Sequence, residues 1–253
     1  MAPETGIRPR RRSAGGLEAE VLDRLACPSC GGRLARTVEG DTIGCGACGR
    51  SFARRGRLFD LLLDRDAHTK LEDIDYDKVG GITDQVIDRI GETWLAALSN
   101  AGIDPSGKVV LEIGTGTGAL TIGLLRKAAP RCIVATDVSE TFLATALHRS
   151  GEDAPIVAVR CDCNAMPIRD GTFDVVLGRS ILHHLLDFDR VLAQCARILK
   201  PGGKALFFEP VLEGKLVIAH FAALVAETAR AIGDTDFDED DHRRLRTTWR
   251  NIA

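Results

Sequence analysis

Two clusters of residues in this sequence have types and spacings suited to chemistry. The first is a quartet of cysteines in two near-identical hooks, Cys27-Pro28-Ser29-Cys30-Gly31 and Cys45-Gly46-Ala47-Cys48-Gly49, with 14 residues between Cys30 and Cys45. A Cys-x-x-Cys turn lets both thiolates face one ion, and the glycine that follows lets the backbone curl so that amides point at sulfur. Two such hooks supply four soft ligands in the tetrahedral arrangement that Zn²⁺ prefers, with iron as the lesser option. Four thiolates leave no open coordination position, so the metal is expected to be structural. It would hold together a unit too small to build its own core. The metal set is therefore Cys27, Cys30, Cys45 and Cys48. Free structural cysteines, the alternative, do not account for the doubled spacing.

The second cluster begins at Leu111-Glu112-Ile113-Gly114-Thr115-Gly116-Thr117-Gly118. Glycines directly after a short apolar run let the chain turn tightly and approach a ligand closely. Alone, the loop is weak evidence: dinucleotide-binding enzymes use a close relative of it, and a tight strand-to-helix turn with no ligand is the other alternative. A second apolar run ends in Asp137, 23 residues after Gly114. A carboxylate there can accept hydrogen bonds from both ribose hydroxyls of a nucleoside, or can cap the next helix beside Ser139. Glu112 carries a negative charge into the loop, which suits a cationic ligand and opposes a pyrophosphate. A third run leads into Cys161-Asp162-Cys163-Asn164, where Asp162 can accept from an exocyclic adenine amine.

The elements that position these residues follow from periodicity. Strands are expected at Val109–Ile113, Cys132–Thr136, Ile156–Cys161, Phe173–Gly178 and Lys204–Glu209, with Pro201-Gly202-Gly203 as a turn. Helices are expected over Gly118–Ala129, over Glu140–Arg149 with Ser139 as N-cap, and over Phe188–Leu199. Alternation at this spacing implies right-handed βαβ units and a parallel sheet covered on both faces. The fold class is α/β: a Rossmann-like parallel sheet flanked by helices, with a small N-terminal zinc ribbon and a helical C-terminal segment. The expected organisation is a flexible basic tail at 1–20, the ribbon at 21–63, and a linker with a leading helix at 64–107. The main α/β domain covers 108–210, and a helical segment covers 211–253. The leading helix starts at Thr83 and carries Val86, Ile87, Ile90, Trp94, Leu95 and Leu98 at helical spacing.

Taken together, VLEIGTGTG, ATDVS, CDCNAMPIRDGTFDVVLGRSILHHL and LKPGGKALFFEP resemble the class I S-adenosylmethionine-dependent methyltransferases, most closely those acting on small molecules. The resemblance covers roughly residues 80–210. It implies a cofactor site of Glu112, Gly114, Thr115, Gly116, Gly118, Asp137, Val138, Asp162, Cys163 and Arg179. The first glycines line the methionine and ribose side, Asp137 holds the ribose, Asp162 and Cys163 meet the adenine, and Arg179 lies beside the methionine moiety or the substrate. The ribbon is similar to that at the N-terminus of certain bacterial rRNA guanine methyltransferases. One departure is that the family sheet usually ends in two further strands, and no such strands are legible after Pro210. Helices replacing them, or a truncated chain, are the two readings.

Methyl transfer from a sulfonium needs positioning of the acceptor and, for a hydroxyl or protonated amine, a base. The catalytic candidates are His183 and His184 after the fourth strand, and Glu209 at the end of the fifth. Ordinary packing in a helix is the alternative for the histidines, and backbone capping for Glu209. The stretch Lys215–Ile232 reads as an apolar helix that covers the substrate pocket, forms a homodimer contact or caps the sheet edge.

Composition bounds these readings. A net charge of −3 gives no broad bias toward nucleic acid. No apolar run reaches membrane-spanning length, Leu216–Val225 being about ten residues. The basic N-terminus has no apolar run behind it, which argues against a secretory signal. A cytoplasmic, reduced protein suits the cysteines. The expected partner is a small-molecule methyl acceptor. An rRNA or tRNA base methyltransferase is the second reading, motivated by the ribbon and Arg50, Arg54, Arg55 and Arg57. Against it stand one Tyr and two Trp for base stacking and the absence of an NPPY-type motif. A non-catalytic donor-binding or partner-docking module is the third.

Overall fold

The computed structural model describes residues 14–38, 40–64, 82–185, 187–210 and 228. The chain divides into two compact units, Met1–Phe207 and Phe208–Ala253. The stretch expected as an apolar helix, Lys215–Ile232, lies outside the described residues apart from Thr228, as does most of the linker.

The first unit opens with α1 (Ala14–Leu22) and four short strands, β1 (Leu34–Arg36), β2 (Thr42–Cys45), β3 (Ser51–Arg55) and β4 (Leu58–Asp60). The first residues of α1 fall within the span read as a flexible tail. Leu17, Val21 and Leu22 supply an apolar face that enters the main core, and the helix buries it there. Next come α2 (Asp84–Asn100), β5 (Val109–Ile113), α3 (Ala119–Lys127), β6 (Cys132–Asp137), α4 (Glu140–Ser150) and β7 (Ile156–Arg160). After these come β8 (Phe173–Arg179), α5 (Phe188–Ile198) and β9 (Leu199–Phe208). Thr83 caps α2 and Ser139 caps α4, each hydroxyl accepting from an amide three residues on.

The sheet order is β1-β2-β3-β4-β7-β6-β5-β8-β9. Strands β4, β7, β6, β5 and β8 run parallel. Every residue of β5 and β7 is buried, as expected for strands covered on both faces. The expected turn at Pro201–Gly203 is absorbed into the single strand β9, which begins at Leu199, five residues before the expected start. Gly202, at φ 77°, supplies the local bend that those residues were taken to signal.

The ribbon is not a separate appendage. Its first three strands form an antiparallel meander, and β4 then pairs in parallel with β7, in the register Leu58↔Ala158, Phe59↔Val159 and Asp60↔Arg160. The backbone between α1 and the first cysteine hook is also tied to the chain before β8, with Ala26 N donating to Pro167 O and Arg169 N to Arg24 O. Leu25, Ile43, Phe59, Val157 and Val159 belong to one buried cluster, so ribbon and α/β sheet share a core.

Helices α2 and α3 cross with their backbones in contact. A Cβ on Gly91 would lie 2.4 Å from the carbonyl oxygen of Gly123, so both positions need glycine to permit the approach.

Candidate functional site

The two cysteine hooks have the same geometry. Gly31 N donates to Cys27 O at 2.8 Å and Gly49 N to Cys45 O at 3.0 Å, and both glycines take φ 72°. Cys27 Sγ lies 3.7 Å from Cys48 Sγ, and Cys30 Sγ lies 3.5 Å from Cys45 Sγ. All four sulfurs fall within 4.8 Å of one another. A tetrahedral ion with bonds of ~2.3 Å needs sulfur–sulfur separations of about 3.8 Å, so the quartet is already at ligating distance. The amides of Cys48 and Ala47 aim at the sulfur of Cys45 and pull its thiol down to about 6, favouring the thiolate a metal requires. Among the described residues no other group of three or more His, Cys, Asp or Glu comes together in this way.

The second cluster assembles where β5, β6 and β8 end. The chain leaves β5 toward β6 on one side of the sheet, and β8 lies on the other, so a crevice opens at the carboxyl ends of these strands. Gly114, Gly116 and Gly118 all take positive φ (65°, 53° and 85°). Their surroundings differ. A Cβ on Gly114 would meet Ile181 Cδ1 at 2.6 Å, and one on Gly118 would meet Ala146 Cβ at 2.7 Å. One on Gly116 would meet nothing within 4 Å. The middle glycine therefore faces open space, where a ligand can approach the backbone. The amide of Gly116 donates to Asp137 Oδ2 and that of Ser139 to Asp137 Oδ1, both at 2.9 Å. Each carboxylate oxygen keeps a second lone-pair direction, so the cap and the ribose ligand are compatible roles for one residue. Burial raises the Asp137 carboxyl above its usual value, against the lowering effect of these amides.

Glu112 is 2 % exposed. Thr121 Oγ1 donates to its carboxylate, and Thr115 Oγ1 lies 3.4 Å from Thr121 Oγ1. Burial pushes the Glu112 carboxyl up to about 7, with Thr121, Thr115 and the charge of Arg179 lowering it and Asp137 raising it. A buried carboxylate this costly to ionise is the kind of group that accumulates at ligand sites. The structure thus brings Glu112, Thr115, Gly116, Asp137 and Arg179 to one place. Val138 follows Asp137 in the turn to α4. Asp162 Oδ1 accepts from Asn164 N and Nδ2, both at 2.8 Å, so it caps the short 3₁₀ helix Cys163–Ala165. The Cys163 thiol is pushed up to about 12 by burial and then by Asp162, which makes it a poor nucleophile.

Beyond β8, Ser180 takes φ 54°, a backbone state rare outside glycine. The turn it makes delivers Ile181 against both Gly114 and Gly178. His183 and His184 lie on a 3₁₀ helix, Leu182–His184, with ring centroids 4.0 Å apart. Both are exposed. Glu209 is half-buried and follows β9 directly. Sequence reasoning missed Thr121, Arg160 and Asp60. The last two are charged residues inside otherwise apolar runs, and that interruption is the signal that could have found them.

A family model matches the region that holds this cluster. Residues 111–207 match a family described as a methyltransferase domain. That match runs from within β5 into β9 and takes in the glycine loop, Asp137, Asp162 and Arg179. The chain is also similar to curated proteins. A malonyl-[acyl-carrier protein] O-methyltransferase of Geobacter sulfurreducens is 29% identical over 133 residues, 53% of this chain and 48% of that protein. A ubiquinone/menaquinone biosynthesis C-methyltransferase UbiE of Burkholderia mallei is 34% identical over 119 residues, 46% of this chain and 49% of that protein. The chain spans about half the length of the curated relatives it matches. Among solved structures, phosphoethanolamine N-methyltransferase 1 of Haemonchus contortus aligns with a TM-score of 0.47 and 22% identity, covering 57% of this chain and 32% of that one.

Proposed function

We propose that this chain transfers the methyl group of S-adenosylmethionine to an oxygen, nitrogen or carbon of a small-molecule acceptor, and that its cysteine quartet holds a structural Zn²⁺. The observation that carries the reading is the cluster of Glu112, Gly116 and Asp137 at the carboxyl ends of β5 and β6, within the methyltransferase domain. The buried carboxylate of Glu112 suits a cationic donor. The open backbone at Gly116 admits it, Asp137 takes its ribose hydroxyls, and Asp162 with the backbone at Cys163 takes its adenine. When bound, the donor supplies an activated methyl group. That group would pass to an acceptor lone pair with the carbon–sulfur electron pair retained by sulfur, and the residues named here would hold the donor for it.

The first unit's own groups on the acceptor side are Arg179, His183 and His184. Either exposed histidine can take the proton an acceptor hydroxyl or ammonium must lose. Single His183→Ala and His184→Ala variants separate the two: loss of the acidic limb of the kcat profile identifies the base.

Against the RNA reading, three of the four ribbon arginines are engaged within the chain. Arg54 pairs with Glu18 and donates to Gly40 O, Arg55 pairs with Glu140, and Arg57 donates to the carbonyls of Gly151, Ala154 and Ile156. Among the described residues no helix is long and apolar enough to cross a membrane. A cytoplasmic setting suits thiols that must stay reduced to hold a metal.

Calorimetric titration with S-adenosylmethionine and S-adenosylhomocysteine tests the donor site, and mass spectrometry of cell extracts incubated with labelled donor tests the transfer. Absence of heat with both ligands overturns the reading. Label in an RNA fraction alone would shift it to a nucleic-acid acceptor.

A further inference from the structure

The sheet register places three residues on one rung across three strands. Asp60 of β4 faces Arg160 of β7, and Arg160 in turn faces Asp137 of β6. The ribbon thereby stands one strand away from the residue assigned to the donor ribose. The contacts of Arg160 join the two. Its Nε donates to Val138 O at 2.8 Å, and its Nη1 lies 3.5 Å from Asp60 Oδ2 and 3.5 Å from Glu140 Oε2. The side chain of Asp60 is fully buried and that of Arg160 is 5% exposed. A guanidinium buried to that degree needs its counter-charge, because loss of one partner leaves the other charge without solvent. Val138 and Glu140 are the residues that follow Asp137 into α4, and Ser139 between them donates to Asp137 Oδ1. The turn that aims the ribose carboxylate is therefore held at its carbonyl and its first helical side chain by one cation, and the ribbon supplies the buried anion for that cation. A second ribbon residue, Arg55, reaches Glu140 at 2.7 Å on the exposed side. The backbone reinforces the link, with Leu61 N donating to Arg160 O at 2.9 Å.

We infer that Arg160 is a positioning residue for the donor-binding turn, held in place by Asp60, so that the four-cysteine module completes the cofactor site as well as covering the sheet edge. The inference rests on the donor-binding function proposed above. It makes the ribbon's order and the donor's affinity reciprocal, since a module that stabilises the bound form is itself stabilised by binding.

The experiment titrates the full-length, metal-loaded protein with S-adenosylhomocysteine by calorimetry. Asp60→Asn keeps the shape and the contact to Leu62 N (3.4 Å) but removes the charge. Arg160→Lys keeps the charge but loses the Nε donor to Val138. Glu18→Gln serves as control, because it removes a buried charge that pairs with Arg36 and Arg54, and no contact of Glu18 with Arg160 is involved. The expected result is tenfold or greater weakening in Asp60→Asn and Arg160→Lys, with Glu18→Gln within twofold of wild type. Equal weakening in all three, or wild-type affinity in the first two, overturns the inference. Hydrogen exchange on the wild-type protein provides a measurement independent of variant folding. Adding S-adenosylhomocysteine should slow exchange in 58–62, and unchanged exchange there, with binding demonstrated, also overturns it. A wild-type protein that binds no ligand removes the donor-binding function itself, an outcome distinct from both.

Discussion

Glu112→Gln separates the cost of the donor site from its use. Burial holds the Glu112 carboxyl near 7, against a usual value of 4.5. Between those two values the folded protein retains a proton that the unfolded chain has released. The native state then binds more protons, so stability falls as pH rises through this window and levels off above it. Each tenfold change in proton affinity is worth about 1.4 kcal/mol, so the ionised carboxylate costs the fold about 3 kcal/mol at pH 8. Glutamine carries no charge and can still accept from Thr121 through its amide oxygen. The variant should match wild type near pH 4.5 and exceed it at pH 8. For a unit of this size the gain is roughly 6–12 °C in Tm. Differential scanning calorimetry of both proteins without ligand, from pH 4.5 to 8.5, reads the divergence. Parallel Tm curves, or a variant less stable at pH 8, would refute the assignment of the titrating group.

The same variant should bind the cationic donor more weakly while losing less affinity for the uncharged sulfide of S-adenosylhomocysteine. In wild type, donor binding near pH 6 should release close to one proton. Calorimetry in buffers of different ionisation enthalpy detects this release, which should fade by pH 8.5.

Three other outcomes follow from named contacts. Purified protein should carry one Zn²⁺ per chain by elemental mass spectrometry, and Cys45→Ser should lower that content and destabilise the ribbon by several kcal/mol, read as a lower Tm. Asp137→Ala removes the ribose acceptor together with the partner of the Gly116 and Ser139 amides, and should weaken donor binding at least tenfold by titration. Gly91→Ala gains about 1 kcal/mol in helix propensity but drives a methyl to 2.4 Å from Gly123 O, so it should destabilise by about 1–3 kcal/mol net in denaturant melts.

Much of this architecture was legible because its signals are local. The runs Val109–Ile113 and Ile156–Arg160 read as buried parallel strands since every residue but Glu112 and Arg160 is apolar. The hooks at Cys27 and Cys45 announce a metal by spacing alone, and Asp137 stands where a second strand meets a helix cap. What stayed hidden depends on pairing between distant segments. The apolar residues Leu58 and Phe59 do not by themselves indicate which strand they lie beside, and nothing in Gly91 indicates that Gly123 will touch it.

The pairing of β4 with β7 has a physical reason that joins these observations. Without β4, β7 would be the last strand of the parallel sheet, an edge apolar but for Arg160 with unpaired amides and carbonyls, which is an aggregation template. The ribbon covers that edge, and the strand it adds must be apolar to do so. A charge within such a strand is tolerated only opposite its counter-charge. Asp60 and Arg160 are therefore the readable trace of the junction: each is an ionisable residue in an apolar run, and each makes physical sense only once the other is beside it. Two charged residues that break apolar runs on separate segments are thus a sequence signal for strand pairing, and here the pair they identify lies next to the turn that carries Asp137.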